Sequence, residues 1–207
     1  MSASRYSFSL TTFNPSGKLL QIEHALAAVN QGATSIGIKA KDGLVIATCK
    51  KPHPLMLDDT KVVPISHNIG MTYSGLGTDF RVLVDKVRKM CVEYKLQYLK
   101  DPPVHVLVDR LSALMQEYTQ SGGVRPFGVS VLVIGFNNNN EMGLYQVDPS
   151  GTVLGLKASA IGKEYVQSKS FLERRYNPTL NIEDAIHMAL LTLKEVFLFL
   201  YRDLMVK

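Results

Sequence analysis

The sequence predicts an α+β fold, a sandwich of two antiparallel β-sheets flanked by pairs of helices. Three observations carry this. Strand-like runs come in blocks and helical runs in pairs, so the elements do not alternate as a parallel sheet requires. Within the 207 residues, 46% are apolar and 20% charged, enough for one well-packed core. No Pro/Gly-rich linker or internal repeat divides the chain, so residues 1–207 are read as a single domain.

The elements follow in order. Residues 1–15 are polar and aromatic without period and read as an arm. After Pro15-Ser16-Gly17, Leu19, Ile22, Leu26 and Val29 form an apolar stripe at helical spacing. The reading is a helix over residues 16–31, with Ser16 as N-cap and Gly32 as stop. Thr34 to Lys39 and Leu44 to Thr48 are β-rich runs joined by Lys41-Asp42-Gly43, a hairpin signal. Val62 to Ile65 and Ile69 to Ser74 follow as strands. Asp79 to Leu99 carries Phe80, Leu83, Val84, Val87, Met90, Cys91 and Tyr94 on one face. After Pro102-Pro103, Val104 to Thr119 carries Leu107, Val108, Leu111, Leu114, Met115 and Tyr118, and the two helices are expected to share a surface. Gly128 to Phe136, Gly143 to Val147 and Thr152 to Ser159 read as three strands. Helices at Lys163 to Arg175 and from Ile182 onward close the chain.

Several function classes lose support. The longest apolar stretch, about Val129 to Phe136, is far short of a membrane span, and the first twenty residues hold no apolar signal region. The chain reads as soluble. Cys49 and Cys91 read as reduced core thiols. His24, His53, His67, His105 and His187 are scattered without ligand spacing, so no metal or cofactor is expected. The net charge of +5 is spread among acidic residues, as in Arg81-Val82-Leu83-Val84-Asp85-Lys86, which reads as a solvated surface and not a nucleic-acid face. Dinucleotide, P-loop, hydrolase-elbow and zincin motifs are absent. Gly75-Leu76-Gly77 and Gly122-Gly123 read as turn punctuation, and Glu183-Asp184 as helix-dipole partners.

One enzymatic possibility is a threonine freed at a processed N-terminus, where the α-amine serves as base. Thr11-Thr12 is preceded by Leu10 and followed by a helix. Thr34 precedes a strand, but freeing it means cutting away the whole first helix. Catalysis is therefore not expected of this chain.

Four motifs in order give the chain a likeness. Residues 6–19 read YSFSLTTFNPSGKL and continue into Gln21-Ile22-Glu23-His24-Ala25. Residues 116–130 read QEYTQSGGVRPFGVS. Residues 145–151 read YQVDPSG, followed by Lys157-Ala158-Ser159-Ala160-Ile161-Gly162. Residues 170–176 read SFLERRY, followed by Glu183-Asp184-Ala185-Ile186-His187 and Leu191 to Glu195. In these motifs the sequence resembles the proteasome alpha subunits.

The resemblance implies the N-terminal nucleophile hydrolase fold with the helix at 16–31 as the alpha-specific addition. It also implies a non-catalytic subunit of the core particle's heptameric alpha ring, acting in ubiquitin- and ATP-dependent protein degradation in cytoplasm and nucleus. Partners would be neighbouring alpha subunits, beta-ring subunits and proteasome activators or the regulatory particle. The implied gate cluster is Tyr6, Ser7, Pro15 and His24, with residues 1–15 as gate arm. Ser7 stands where most alpha members have Asp, and His24 where the family usually has Tyr, which would let the cluster titrate near neutral pH. Lys61 matches the lysine that receives an activator's C-terminal carboxylate. The resemblance is expected to end after Glu195, leaving residues 196–207 a divergent tail without the family's C-terminal strands. That leaves a beta-type N-terminal-threonine peptidase and an unassembled truncated isoform as alternatives.

Overall fold

The structure, a computed structural model, describes residues 12–50, Leu55 and residues 60–205, with side chains through Val196. Tyr6 and Ser7 lie outside the described residues. The described elements are α1 (Leu20–Gln31), β1 (Ser35–Lys39), β2 (Leu44–Thr48), β3 (Val62–Ser66), β4 (Ile69–Gly75), α2 (Gly77–Tyr98), α3 (Val104–Gln120), β5 (Val129–Phe136), β6 (Met142–Val147), β7 (Val153–Gly155), β8 (Ala158–Ile161), α4 (Tyr165–Arg175) and α5 (Ile182–Met205).

All the described strand pairs are antiparallel. One sheet has the order β2-β1-β8 and the other β3-β4-β5-β6-β7. The helices α2 and α3 cover the outer face of the five-stranded sheet. Their Phe80, Leu83, Val87, Leu107, Leu111 and Met115 pack on Met71, Tyr73, Val129, Val131 and Val133. The helices α4 and α5 cover the outer face of the three-stranded sheet, where Leu172, Ala185, Met188 and Ala189 meet Ile36, Ile38 and Ala160. This is the four-layer arrangement that the blocks of strands and pairs of helices predict.

Between the sheets the contact is partly polar. In β5, Val129, Val131 and Val133 belong to the helix-facing core, and the alternation of a strand turns Ser130 and Leu132 the other way. Ser130 Oγ donates to Asp148 Oδ1 at 2.8 Å, Gln146 Nε2 to the same oxygen at 2.9 Å, and Ser159 Oγ to Gln146 Oε1 at 2.8 Å. Buried hydroxyls and amides are thus paired with each other, which is the condition for keeping them there.

Three expectations need correction. Ser16 is not an N-cap: α1 begins at Leu20, four residues later than expected, and its N-cap position, Leu19, makes no side-chain cap. Ser16 belongs instead to a separate turn. The run Thr152 to Ser159 is not one strand. It splits into β7, paired with β6, and β8, paired with β1 in the other sheet, so the second block holds four strands. A continuous β-like composition does not reveal that the chain changes sheets. Of the two free thiols, Cys91 is buried but Cys49 is half-exposed. Among the described residues no helix is long and apolar enough to cross a membrane.

Candidate functional site

The segment leading into α1 is ordered by local chemistry. Asn14, Pro15, Ser16 and Gly17 form a β-turn in which Gly17 N donates to Asn14 O at 2.9 Å. Asn at the first position, Pro at the second and Gly at the fourth suit such a turn. The Asn14 side chain reinforces it, with Oδ1 accepting from Ser16 Oγ at 2.7 Å and from Lys18 N at 2.8 Å. Pro15 is therefore held at a corner just before α1. His24 lies exposed on α1, whose buried residues are Ala25 and Val29.

The end of α1 seats deeply against both sheets. Ser74 Oγ donates to Val29 O at 3.0 Å, and Lys163 N to Gly32 O at 2.8 Å. Gly32 has an ordinary extended backbone, so its role is space: a Cβ there would run into Gly75 N and Ser74 Oγ. Reading Gly32 as a helix stop gets the position right, but what requires glycine is this close approach to β4.

Thr34 follows at the mouth of the sandwich and is 2% exposed. Its Oγ1 donates to Lys163 O at 2.6 Å, and its carbonyl accepts from Cys49 N at 2.9 Å. The Thr34 nitrogen is a peptide amide continuing from Ala33, and an amide cannot act as the base that a threonine nucleophile needs. Lys61 lies on the far side of Cys49. It is 6% exposed, its Nζ donates to Cys49 O at 3.2 Å, and the ammonium sits 5.4 Å from the centroid of the Tyr73 ring. Both contacts stabilise a cation largely withdrawn from water.

Tyr73 also lines a cavity of about 640 Å³ beside the first turns of α2, together with Thr60, Val63, Arg81, Asp85 and Arg88. Arg88 Nη2 donates to Pro64 O at 2.9 Å. The helix that forms this wall is pinned by Asp79, whose carboxylate takes two bonds from Arg125 and one from Gly128 N at 2.9 Å. The Arg125 bonds, then burial working against them, then the Gly128 amide leave the Asp79 carboxyl below the usual range. Neither this pair nor the glycine contacts of α1 was anticipated from the sequence. Asp79 and Arg125 stand 46 positions apart, and nothing local to either residue marks the partner. Among the described residues, no three His, Cys, Asp or Glu side chains gather where a metal could be held.

Comparison with known proteins fits this geometry. The proteasome subunit family matches residues 29–203, and the N-terminal signature of the proteasome's A-type subunits matches residues 6–28, the arm and most of α1. The match runs past Glu195, so the likeness extends into the tail that the motifs alone had left out. The proteasome alpha type-2 subunit of Oryza sativa subsp. japonica is 56% identical over 198 residues, covering 94% of this chain and 84% of its own length. The alpha type-2-A subunit of Arabidopsis thaliana is 56% identical over 200 residues, covering 95% and 85%. The probable alpha type-2 subunit of Schizosaccharomyces pombe is 56% identical over 197 residues, covering 93% and 80%. With an alpha signature over its first helix and an alpha-type sequence through both sheets, the chain belongs to the proteasome subunit family as a non-catalytic alpha member.

Proposed function

We propose that this chain is a structural subunit of the alpha ring of the proteasome core particle, contributing to pore gating and activator docking in ubiquitin- and ATP-dependent protein degradation. The observation that carries the reading is the alpha signature over residues 6–28, because it covers the arm and the helix that distinguish a gating subunit from a catalytic one. Its partners in this reading are the neighbouring alpha subunits, the beta ring and the activators, and its compartments are cytoplasm and nucleus.

Within that role, Tyr6, Ser7, Pro15 and His24 form the base of the gate arm. The hydrogen-bonded Asn14–Gly17 turn supports this assignment, since an arm can be directed only from an ordered base. Lys61 receives the C-terminal carboxylate of an activator. Its ammonium beside Tyr73, and the arginines lining the adjoining cavity, give an anion a favourable field there.

The test is native-gel migration of the tagged chain expressed in its own cells. Co-migration with a large peptidase-active particle is the expected result, and migration as a monomer or aggregate overturns the ring reading. Within assembled particles, Lys61→Ser is expected to abolish stimulation by an activator while leaving basal peptide hydrolysis unchanged. His24→Tyr is expected to alter basal hydrolysis near neutral pH without altering assembly.

A further inference from the structure

A second cavity, of about 230 Å³, is walled by α1, α4 and strands of both sheets. It shares no lining residue with the cavity beside α2, and every residue that lines it is described. Leu26 and Val29 of α1, Leu154 of β7 and Ile161 of β8 make the apolar part of the wall. Its two charged side chains are Asp148, just after β6, and Lys169 on α4, both half-buried. A concave apolar wall with a few convergent polar groups is the usual form of a small-molecule site.

Both charges are ordered by neighbours that leave them able to bind more. Asp148 is fixed through Oδ1, which accepts from Ser130 and Gln146, and Gln146 is held in turn by Ser159. None of the hydrogen bonds among the described residues reaches Asp148 Oδ2. Lys169 Nζ sits 5.5 Å from the centroid of the Tyr165 ring, another part of the wall. Among the described residues no carboxylate lies within ion-pair distance of it. Side chains ordered before a ligand arrives lower the entropy that binding costs.

The two charges also select the ligand. A simple anion is attracted by Lys169 but repelled by Asp148, and a simple cation meets the reverse. A molecule that carries an ammonium and a carboxylate on an apolar body satisfies both charges and the wall. The cavity is smaller than the roughly 300–1,000 Å³ of drug-sized pockets, which limits that molecule to a small one.

We propose that this cavity binds a small apolar zwitterion, an amino acid or a dipeptide, with its ammonium on Asp148 Oδ2 and its carboxylate on Lys169 Nζ. Both contacts are charge-assisted and partly withdrawn from water. The ligand also ties α1 to the sheets. Val29 lines the cavity while its carbonyl accepts from Ser74 Oγ, and Gly162, also in the wall, lies against the Gly32 and Ala33 carbonyls. Occupancy therefore holds down the last turn of a helix whose buried residues are Ala25 and Val29. The site does not rest on the alpha-ring reading, and its failure leaves that reading untouched.

The experiment is calorimetric titration of the purified full chain with L-leucine and with glycyl-L-leucine, alongside residue-resolved hydrogen exchange. Saturable binding of at least one probe is expected, with added protection at the amides of Val29, Asn30 and Tyr165. The tighter probe shows whether the site takes the charge spacing of an amino acid or of a dipeptide. N-acetyl-L-leucine keeps the carboxylate alone and L-leucinamide the ammonium alone. Each is expected to bind about tenfold more weakly than L-leucine, as befits the loss of one charge-assisted bond. Asp148→Asn keeps the Oδ1 acceptor, and Lys169→Gln removes a charge from a half-buried helix position. Each is expected to weaken the better probe by a similar factor, while slow exchange at Ile36 and Val131, both buried, shows that the core remains folded. Should Asp148→Asn fail to fold, Lys169→Gln decides alone. Neither heat nor added protection with either probe at millimolar concentration overturns the proposal. Binding that the singly charged probes share in full, or that survives substitution in a folded chain, overturns it too, because the two charges are then not what recognises the ligand.

Discussion

Asp79 and Arg125 form a two-pronged ion pair, with Nη1–Oδ2 at 2.6 Å and Nη2–Oδ1 at 2.9 Å, that ties the first turn of α2 to the loop between α3 and β5. The aspartate is also favourably placed at a helix N-terminus. Its side chain is 12% exposed whereas that of Arg125 is 58% exposed, so solvent screens part of the attraction. Asp79→Ala is expected to cost about 1–2 kcal/mol, near the lower end for charged hydrogen bonds. Urea unfolding at neutral pH measures it.

The same carboxylate makes part of the stability pH-dependent. Its folded pKa lies below the ordinary value, so as pH falls the unfolded chain takes up the proton first. The contribution is complete above about pH 4, the unfolded value, and is lost as pH drops through the folded one. Asp79→Asn is expected to flatten this part of the acid limb in a pH series of unfolding midpoints.

Gly75 has φ +116°, and a Cβ there would run into the Gly128 carbonyl oxygen that Leu76 N already uses. Gly75→Ala therefore combines backbone strain with overpacking and is expected to cost about 2–4 kcal/mol. Gly122 has open space around its Cβ position, and Gly122→Ala is expected to fall within about 0.5 kcal/mol of the parent. Denaturation midpoints of the two variants, compared directly, test the contrast.

The helix pair over the five-stranded sheet offers a second contrast. Met115 is fully buried, and Met115→Ala should cost about 2–5 kcal/mol through lost contacts and an unfilled cavity. Val92, 58% exposed on α2, should tolerate alanine to within about 0.5 kcal/mol. Thermal melts of both variants are sufficient.

Burial, with Asp101 as a lesser cause, pushes the Cys91 thiol up to about 11. Thiolates are the reactive form, so an alkylating reagent at pH 8 is expected to modify half-exposed Cys49 first and Cys91 only on unfolding. Peptide mass mapping over time reads this order. The raised value also means that the native state disfavours ionisation. Its contribution is complete below the unfolded value of about 8.5 and is lost as pH climbs toward the folded one.

Much of the architecture was legible because it rests on local periodicity. The stripe through Phe80, Leu83, Val84, Val87, Cys91 and Tyr94 is the buried face of α2, since any helix must bury its apolar side against something. The bounds of β2 and the pairing of blocks into layers came from the same kind of pattern. The split of Thr152–Ser159 did not, because composition records a preference for extended backbone and not the identity of the neighbouring strand. Ser16 misled for a related reason. A residue able to cap a helix can equally serve the turn before it, and Asn14 and Pro15 decided in favour of the turn.

Of the candidate site, the sequence supplied the residues without their surroundings. Pro15 and His24 were placed on an arm and a helix, and the structure adds that both are exposed, one at a hydrogen-bonded corner. Lys61 was named as a docking cation, but its burial against Cys49 O and Tyr73 depends on segments that meet only in the fold. The sequence by itself determined the α+β class, the helical faces and the alpha-type motifs, because each is a property of neighbouring residues. Only the tertiary structure decided the Asp79–Arg125 tie, the glycine-lined seat of α1 and the burial of Lys61 against Cys49 O and Tyr73. Each of these requires atoms from segments far apart in the chain to occupy, or to leave empty, the same few ångströms of space.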